Sequence, residues 1–352
     1  MPTKRIEYID ALRGFSMYLV VYSHIWTFCY HNDDSNSFAH ILTNFFLILL
    51  FFISGFFAYK KDYNYTFLNV LHLLKTKAIQ LLCPAIFFCT LFCWWGGYGL
   101  DAALSPSNAG YWFTIHLFYF FVFYFITNLI SSKTKVIRPE FILILIALFI
   151  YCISYSHVII ERTQLGTNLF YYLGVKNWRY YIFFCIGVLI KKHFFKFEKL
   201  TDQPYLMAFF ILGFFFMVFY ADSITIPLCK PIIMLVYGVL SIIVIFSFFR
   251  KYKSAFNYNT KLGYILQFIG RRTIDVYMIH YFLLPRNLDV VGVFFTRYIN
   301  PSIEFVFTTI IALLVILLSI IIGSLIRLSP FLSHYLLGNK NPGKISANKR
   351  IS

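Results

Sequence analysis

An arginine and a histidine enter the apolar run that follows residue 10. Arg13 and His24 are eleven positions apart, which in a helix is about 20° past three full turns, so they share one face about 16 Å apart along the axis. In a membrane span this sets a guanidinium near one surface and an imidazole deep on the same stripe. Ionisable groups at such depth are costly and mark function by default. The plainer reading is a snorkelling arginine and a hydrogen-bonded packing histidine. Asp10, one turn earlier, is expected to cap the helix and pair with Arg13 at i,i+3, and Gly14 would admit another backbone or a ligand.

Two further histidines lie within apolar runs, His280 after Tyr277 and His116 after Trp112. A neutral imidazole can take the proton from a hydroxyl that is being acylated, the task of a general base. Arg13, Lys75, Lys77, Arg271 and Arg272 stand near the ends of runs. They could hold a phosphorylated ligand through charge-assisted hydrogen bonds, bind anionic lipid headgroups, or set topology. Asp275 would pair with Arg271 or Arg272. No Gly-x-Ser-x-Gly elbow is present. From these residues alone an enzyme and a transporter both remain open.

Composition defines the elements that must position them. Of 352 residues, 60% are hydrophobic and 13% charged, with a mean hydropathy of +0.72; a soluble domain is nearer 45–50% apolar and about 25% charged. The fold expected is all-α, a polytopic transmembrane helical bundle. The net charge of +17 comes from short clusters between apolar runs, the layout of charges that orient spans, so lipids and not nucleic acid are the expected partner. The seven cysteines lack paired CxxC or Cys/His ligand spacing, so no metal is expected.

Ten runs are long enough to cross roughly 30 Å of hydrocarbon: 11–30, 39–59, 79–98, 111–130, 141–157, 178–195, 205–221, 228–249, 273–294 and 303–326. The ninth must tolerate Pro285 and Arg286 by kinking or breaking off early. Most Lys and Arg fall in alternate segments, among them Lys60–Lys61, Lys133–Lys135, Lys191–Lys199 and Arg250–Lys253. This is the positive-inside pattern, and it predicts cytoplasmic N- and C-termini. No cleavable signal pattern precedes the first run, which is expected to stay in the protein. Residues 1–330 read as one membrane domain, and 331–352 as a cytoplasmic tail, expected to be disordered.

The segment Tyr8-Ile9-Asp10-Ala11-Leu12-Arg13-Gly14, with His24 in the same run, resembles the opening motif of the acyltransferase-3 family of integral membrane O-acyltransferases. Phe51-Phe52-Ile53-Ser54-Gly55, Lys77 upstream of Pro84, Tyr111-Trp112-Phe113, and Gly270 with Thr273 to His280 resemble later family segments, in order. Where the family's third span usually carries two arginines, this chain has Lys75 and Lys77, which keep the charge but not the bidentate fork. The resemblance implies transfer of an acyl group, usually acetyl from cytosolic acetyl-CoA, to a hydroxyl of a sugar or similar acceptor. It implies His24 and Arg13 as the essential residues.

The function expected is therefore O-acetyl transfer in the inner or plasma membrane, onto a cell-surface glycan or its lipid-linked precursor. His24 would be the base or carry the acyl group transiently, and Arg13 would hold CoA phosphates or orient the thioester, with Asp10 and His280 supporting. Arg13, Lys75, Lys77, Arg271 and Arg272 would bind the donor. Acetyl-CoA enters as a substrate, with no bound cofactor. The alternative is a non-catalytic exporter or flippase of polysaccharide.

Overall fold

The structure is a computed structural model that describes residues 5–31, 45–105, 107–133, 138–162, 169–220, 229–298 and 300–339. Among these every regular element is helical. In chain order the main helices are α1 (Glu7–Cys29), α2 (Phe46–Ala58), α3 (Phe67–Gly96), α4 (Trp112–Lys133), α5 (Pro139–Arg162), α6 (Tyr181–Lys192), α7 (Phe194–Thr201) and α8 (Pro204–Tyr220). They continue with α9 (Lys230–Lys251, its Ile242–Phe246 turn π-helical), α10 (Lys261–Arg271), α11 (Thr273–Leu283), α12 (Asp289–Arg297), α13 (Pro301–Ile326) and α14 (Pro330–Leu336).

Each of the ten apolar runs contains helix among its described residues, but not every helix could span alone. Five have the length and apolarity to cross a membrane: α3, α4, α5, α9 and α13. A sixth arises if α7 and α8, bent by 86° at their junction, are taken as one span. The count falls short of ten because α2, α6 and α11 have 13, 12 and 11 residues, and at about 1.5 Å each they are too short for the hydrocarbon. α1 has the length, but serines, tyrosines and His24 dilute its apolar residues.

The chain divides into two compact units. One comprises residues 1–56 and 187–319, the other 57–186 and 320–352. In the first, α1 lies against α10 with almost no side chain between the backbones. A Cβ on Gly14 would overlap the Leu266 carbonyl, and one on Gly270 would overlap the carbonyl of Asp10. Reciprocal glycines of this kind let membrane helices meet at backbone distance. The space at Gly14 is thus filled by α10. Around it, Phe52 and Tyr8 pack on Phe246 with ring centroids 5.1 and 5.9 Å away. Arg250 ties the α7–α8 corner, donating to Glu198 at 3.3 Å, to Thr201 at 3.0 Å, and to Asp202.

The ninth run does not continue to 294. α11 stops at Leu283 because Leu284, placed before Pro285, is extended at φ −62°, ψ 127°, as the proline ring requires of its predecessor. α12 then starts a separate helix. At its other end α11 is separated from α10 by one non-helical residue, Arg272.

In the second unit α3 begins twelve residues before the expected run, at Phe67, where the Thr66 hydroxyl accepts the Asn69 N–H at 3.3 Å. This caps the helix and draws Lys75 and Lys77 into it. α3 ends on Gly97, left-handed at φ 68°. The tail expected to be disordered from 331 is helical as far as Leu336. Ser329 and Pro330 start α14, the residue pair that favours helix initiation. Leu337 is buried, and Gly338 rests against the Gln80 carbonyl of α3. Residues 340–352 lie outside those described.

Candidate functional site

α1 and α11 bring two imidazoles together. His24 Nδ1 lies 2.8 Å from His280 Nε2, and His280 Nδ1 lies 2.9 Å from the Val276 carbonyl one turn back on α11. The partners assign the protons. A carbonyl only accepts, so His280 Nδ1 carries hydrogen and neutral His280 offers Nε2 as an acceptor. His24 Nδ1 must then donate, which leaves the lone pair of neutral His24 on Nε2. Tyr281 Oη stands 3.4 Å from that nitrogen, with its ring centroid 5.0 Å from the His24 ring. His280 is fully buried and Tyr281 nearly so, while His24 is partly exposed.

His24 is therefore the member of the pair that a substrate can reach, and His280 holds its tautomer and ring orientation. Such an arrangement can accept a proton from a hydroxyl and spread the resulting charge through the Nδ1–H donor onto His280. The role resembles that of the acid behind a catalytic histidine, filled here by a second neutral imidazole. Tyr281 belongs to no motif that the sequence displays. Its only local signal is adjacency to His280, and its hydroxyl meets His24 from 257 positions away.

The remaining candidates fall in different places. Arg13 lies on α1 with His24, partly exposed and within electrostatic reach of Asp10 and Arg5. Asp10 does not cap α1. The N-cap is Ile6, without a side-chain cap, and Asp10 sits buried in the first turn, where the helix dipole favours a carboxylate. Its Oδ2 accepts Arg5 Nε at 2.6 Å, an ion pair the helical spacing did not offer, and Arg13 also acts on it electrostatically. Of the two partners open to Asp275, Arg272 takes it, Nη1 to Oδ2 at 3.1 Å, with Asp275 fully buried. Arg271 donates to the Gln267 carbonyl at 3.2 Å and stacks over Tyr258 at 5.4 Å.

Lys75 and Lys77 belong to the second unit, Lys75 exposed and Lys77 with its ammonium 4.1 Å from the centre of the Phe121 ring. His116, also there, has Nδ1 2.8 Å from the Trp112 carbonyl and Nε2 3.0 Å from that of Gly174. Both its nitrogens face backbone carbonyls, of which a neutral ring can donate to one, the arrangement of a bracing histidine.

Fold and site together define a multi-pass, all-α integral membrane protein with a reachable imidazole backed by a buried one. The chain belongs to the acyltransferase-3 family: the model of that family's acyltransferase domain matches residues 6–326. It is an acyltransferase, with an acyl donor and an acceptor as its substrates. Comparison with curated protein sequences and with solved structures yields no match.

Proposed function

We propose that this acyltransferase moves acetyl from cytosolic acetyl-CoA to a hydroxyl of a cell-surface glycan or its lipid-linked precursor. It would do so in the plasma or inner membrane, with an even number of spans and both termini cytoplasmic. The charge pattern supports the orientation. The reading of the chemistry rests on one observation, the His24 Nδ1–His280 Nε2 hydrogen bond at 2.8 Å, which leaves the lone pair of the partly exposed His24 on Nε2, beside the Tyr281 hydroxyl.

His24 Nε2 takes the proton as the acceptor oxygen attacks the thioester carbonyl. The carbon–sulfur bond then breaks, and the CoA thiolate leaves with the proton that His24 returns. Arg13, about 16 Å along α1 from His24, holds a donor phosphate by its planar fork, and Arg271 and Arg272 of the same unit contribute cationic groups for the donor. A general base of this kind is worth about 10²–10⁴-fold in rate. The test uses purified protein in lipid with acetyl-labelled acetyl-CoA, alongside mass spectrometry of surface glycans from cells with and without the protein. One acetyl mass lost from a glycan, together with His24-dependent release of CoA, is expected. Intact glycan and no CoA release would sink the proposal.

A further inference from the structure

The unit that holds His24 also contains a cavity of about 460 Å³ between the start of α1 and the turn that follows α9. Its polar lining is Arg5, Glu7, Lys253, Ser254 and Asn257. The hydrogen bonds already made decide what it can receive. Glu7 is the sole acid in the lining, and its Oε2 is engaged by the Tyr258 backbone N–H at 3.0 Å. Asn257 spends Oδ1 on the Asn259 N–H at 3.0 Å, which leaves its amide hydrogens as donors. Among the described residues Arg5 spends only Nε, on Asp10, so both Nη groups stay open. Lys253 has no side-chain partner among the described residues. Glu7 keeps Oε1 as an acceptor, while the open groups of Arg5, Lys253 and Asn257 are donors, two of them cationic, and they suit an anion with several acceptor oxygens.

Ile6 and Tyr8 add an apolar, aromatic wall, and Tyr8 is braced from behind by Phe246. Phosphate donors beside an aromatic wall match a phosphorylated nucleoside better than a free phosphate. Length along α1 adds a second constraint. From Glu7 to His24 the helix rises about 26 Å. A donor anchored at Arg5 and reacting at His24 must carry a flexible arm of that order, as the pyrophosphate and pantetheine of a CoA thioester together provide.

We infer that this cavity seats the phosphorylated adenosine end of the acyl donor, with Arg5 and Lys253 on its phosphate. The inference rests on the acyl-CoA reading of the donor and moves the phosphate contact to residues outside the five cations named for it above.

The test measures binding of CoA and of dephospho-CoA, which lacks the 3′-phosphate, to the full chain in phosphatidylcholine nanodiscs. Wild type is expected to favour CoA by about tenfold or more, the scale of a charge-assisted contact. Lys253→Gln and Arg5→Gln should each remove most of that preference and leave dephospho-CoA binding unchanged. Lys253 is exposed and has no described partner, so its variant tests binding without disturbing the Arg5–Asp10 pair. An undiminished preference in both variants, with acetyl transfer from acetyl-CoA intact in wild type, would overturn the cavity and spare the donor reading. A wild type that neither binds CoA nor cleaves acetyl-CoA would overturn both. Repeating the titration in nanodiscs with phosphatidylglycerol separates the other source of phosphate. If anionic lipid abolishes the Arg5- and Lys253-dependent part of CoA binding, the cavity is a headgroup site and the inference fails.

Discussion

His24 and His280, 256 positions apart in the chain, share one hydrogen bond of 2.8 Å, and His280 is in turn held by the Val276 carbonyl. Their roles differ, and substitutions should separate them. His24→Ala removes the reachable nitrogen and is expected to reduce acetyl transfer to about 1% of wild type or less. His280→Gln keeps an acceptor for His24 Nδ1 and should retain more activity than His280→Ala. Label transfer from acetyl-CoA measures all three. Equal activity in the two His280 variants would deny His280 an orienting role.

Tyr281 tests the reachable side. Tyr281→Phe keeps the ring 5.0 Å from His24 but removes the hydroxyl beside Nε2. The 3.4 Å contact is long for an O–H···N bond, so the expected loss in kcat is modest, about three- to tenfold. Tyr281→Ala also removes packing against both imidazoles and should cost more. Steady-state kinetics with Tyr281→Phe decides; a loss as deep as that of His24→Ala would make the hydroxyl a direct participant.

Arg13→Lys keeps the charge and gives up the bidentate fork. Transfer should fall at least about tenfold, while the protein inserts and elutes as wild type does. Near-normal turnover would reduce Arg13 to a residue that anchors α1 at the surface.

The glycine contact between α1 and α10 should be among the least tolerant places in the fold. Gly14→Ala and Gly270→Ala each drive a methyl into the facing backbone, and overpacking of this sort costs about 1–3 kcal/mol. A lowered melting temperature is expected for both variants in detergent. Gly213→Ala serves as the control, because its Cβ would meet only the flexible Leu240 side chain at 3.4 Å. Equal melting temperatures for all three would remove the close crossing.

Topology is tested by reporter fusions. Those after Lys61 and Lys135 should read cytoplasmic, and those near Asp34 and Asp101 external. An inverted result at any one of them would change the number of spans.

Much of this protein is set locally and was legible in the residues. Apolar runs far longer than a strand needs can only be helices in hydrocarbon, where every backbone group must be paired within its own segment. Helical period alone places Arg13 and His24 on one face of α1, and the steric demand of Pro285 ends α11 at Leu283. Helix starts are less legible in the residues, because the caps at Thr66 and Ser329 lie outside the apolar runs. The pairings needed the tertiary structure. Nothing near position 24 signals that its imidazole will meet His280 and Tyr281, since which helix faces meet depends on packing across hundreds of positions. Gly14 was visible as a place of close approach, but only the crossing shows that α10 fills it. Asp10 had Arg13 at i,i+3 as its nearest cation along the helix. In the folded unit its Oδ2 is engaged by Arg5, because the residues just before a helix can turn back onto its first turn, a geometry that helical spacing does not describe.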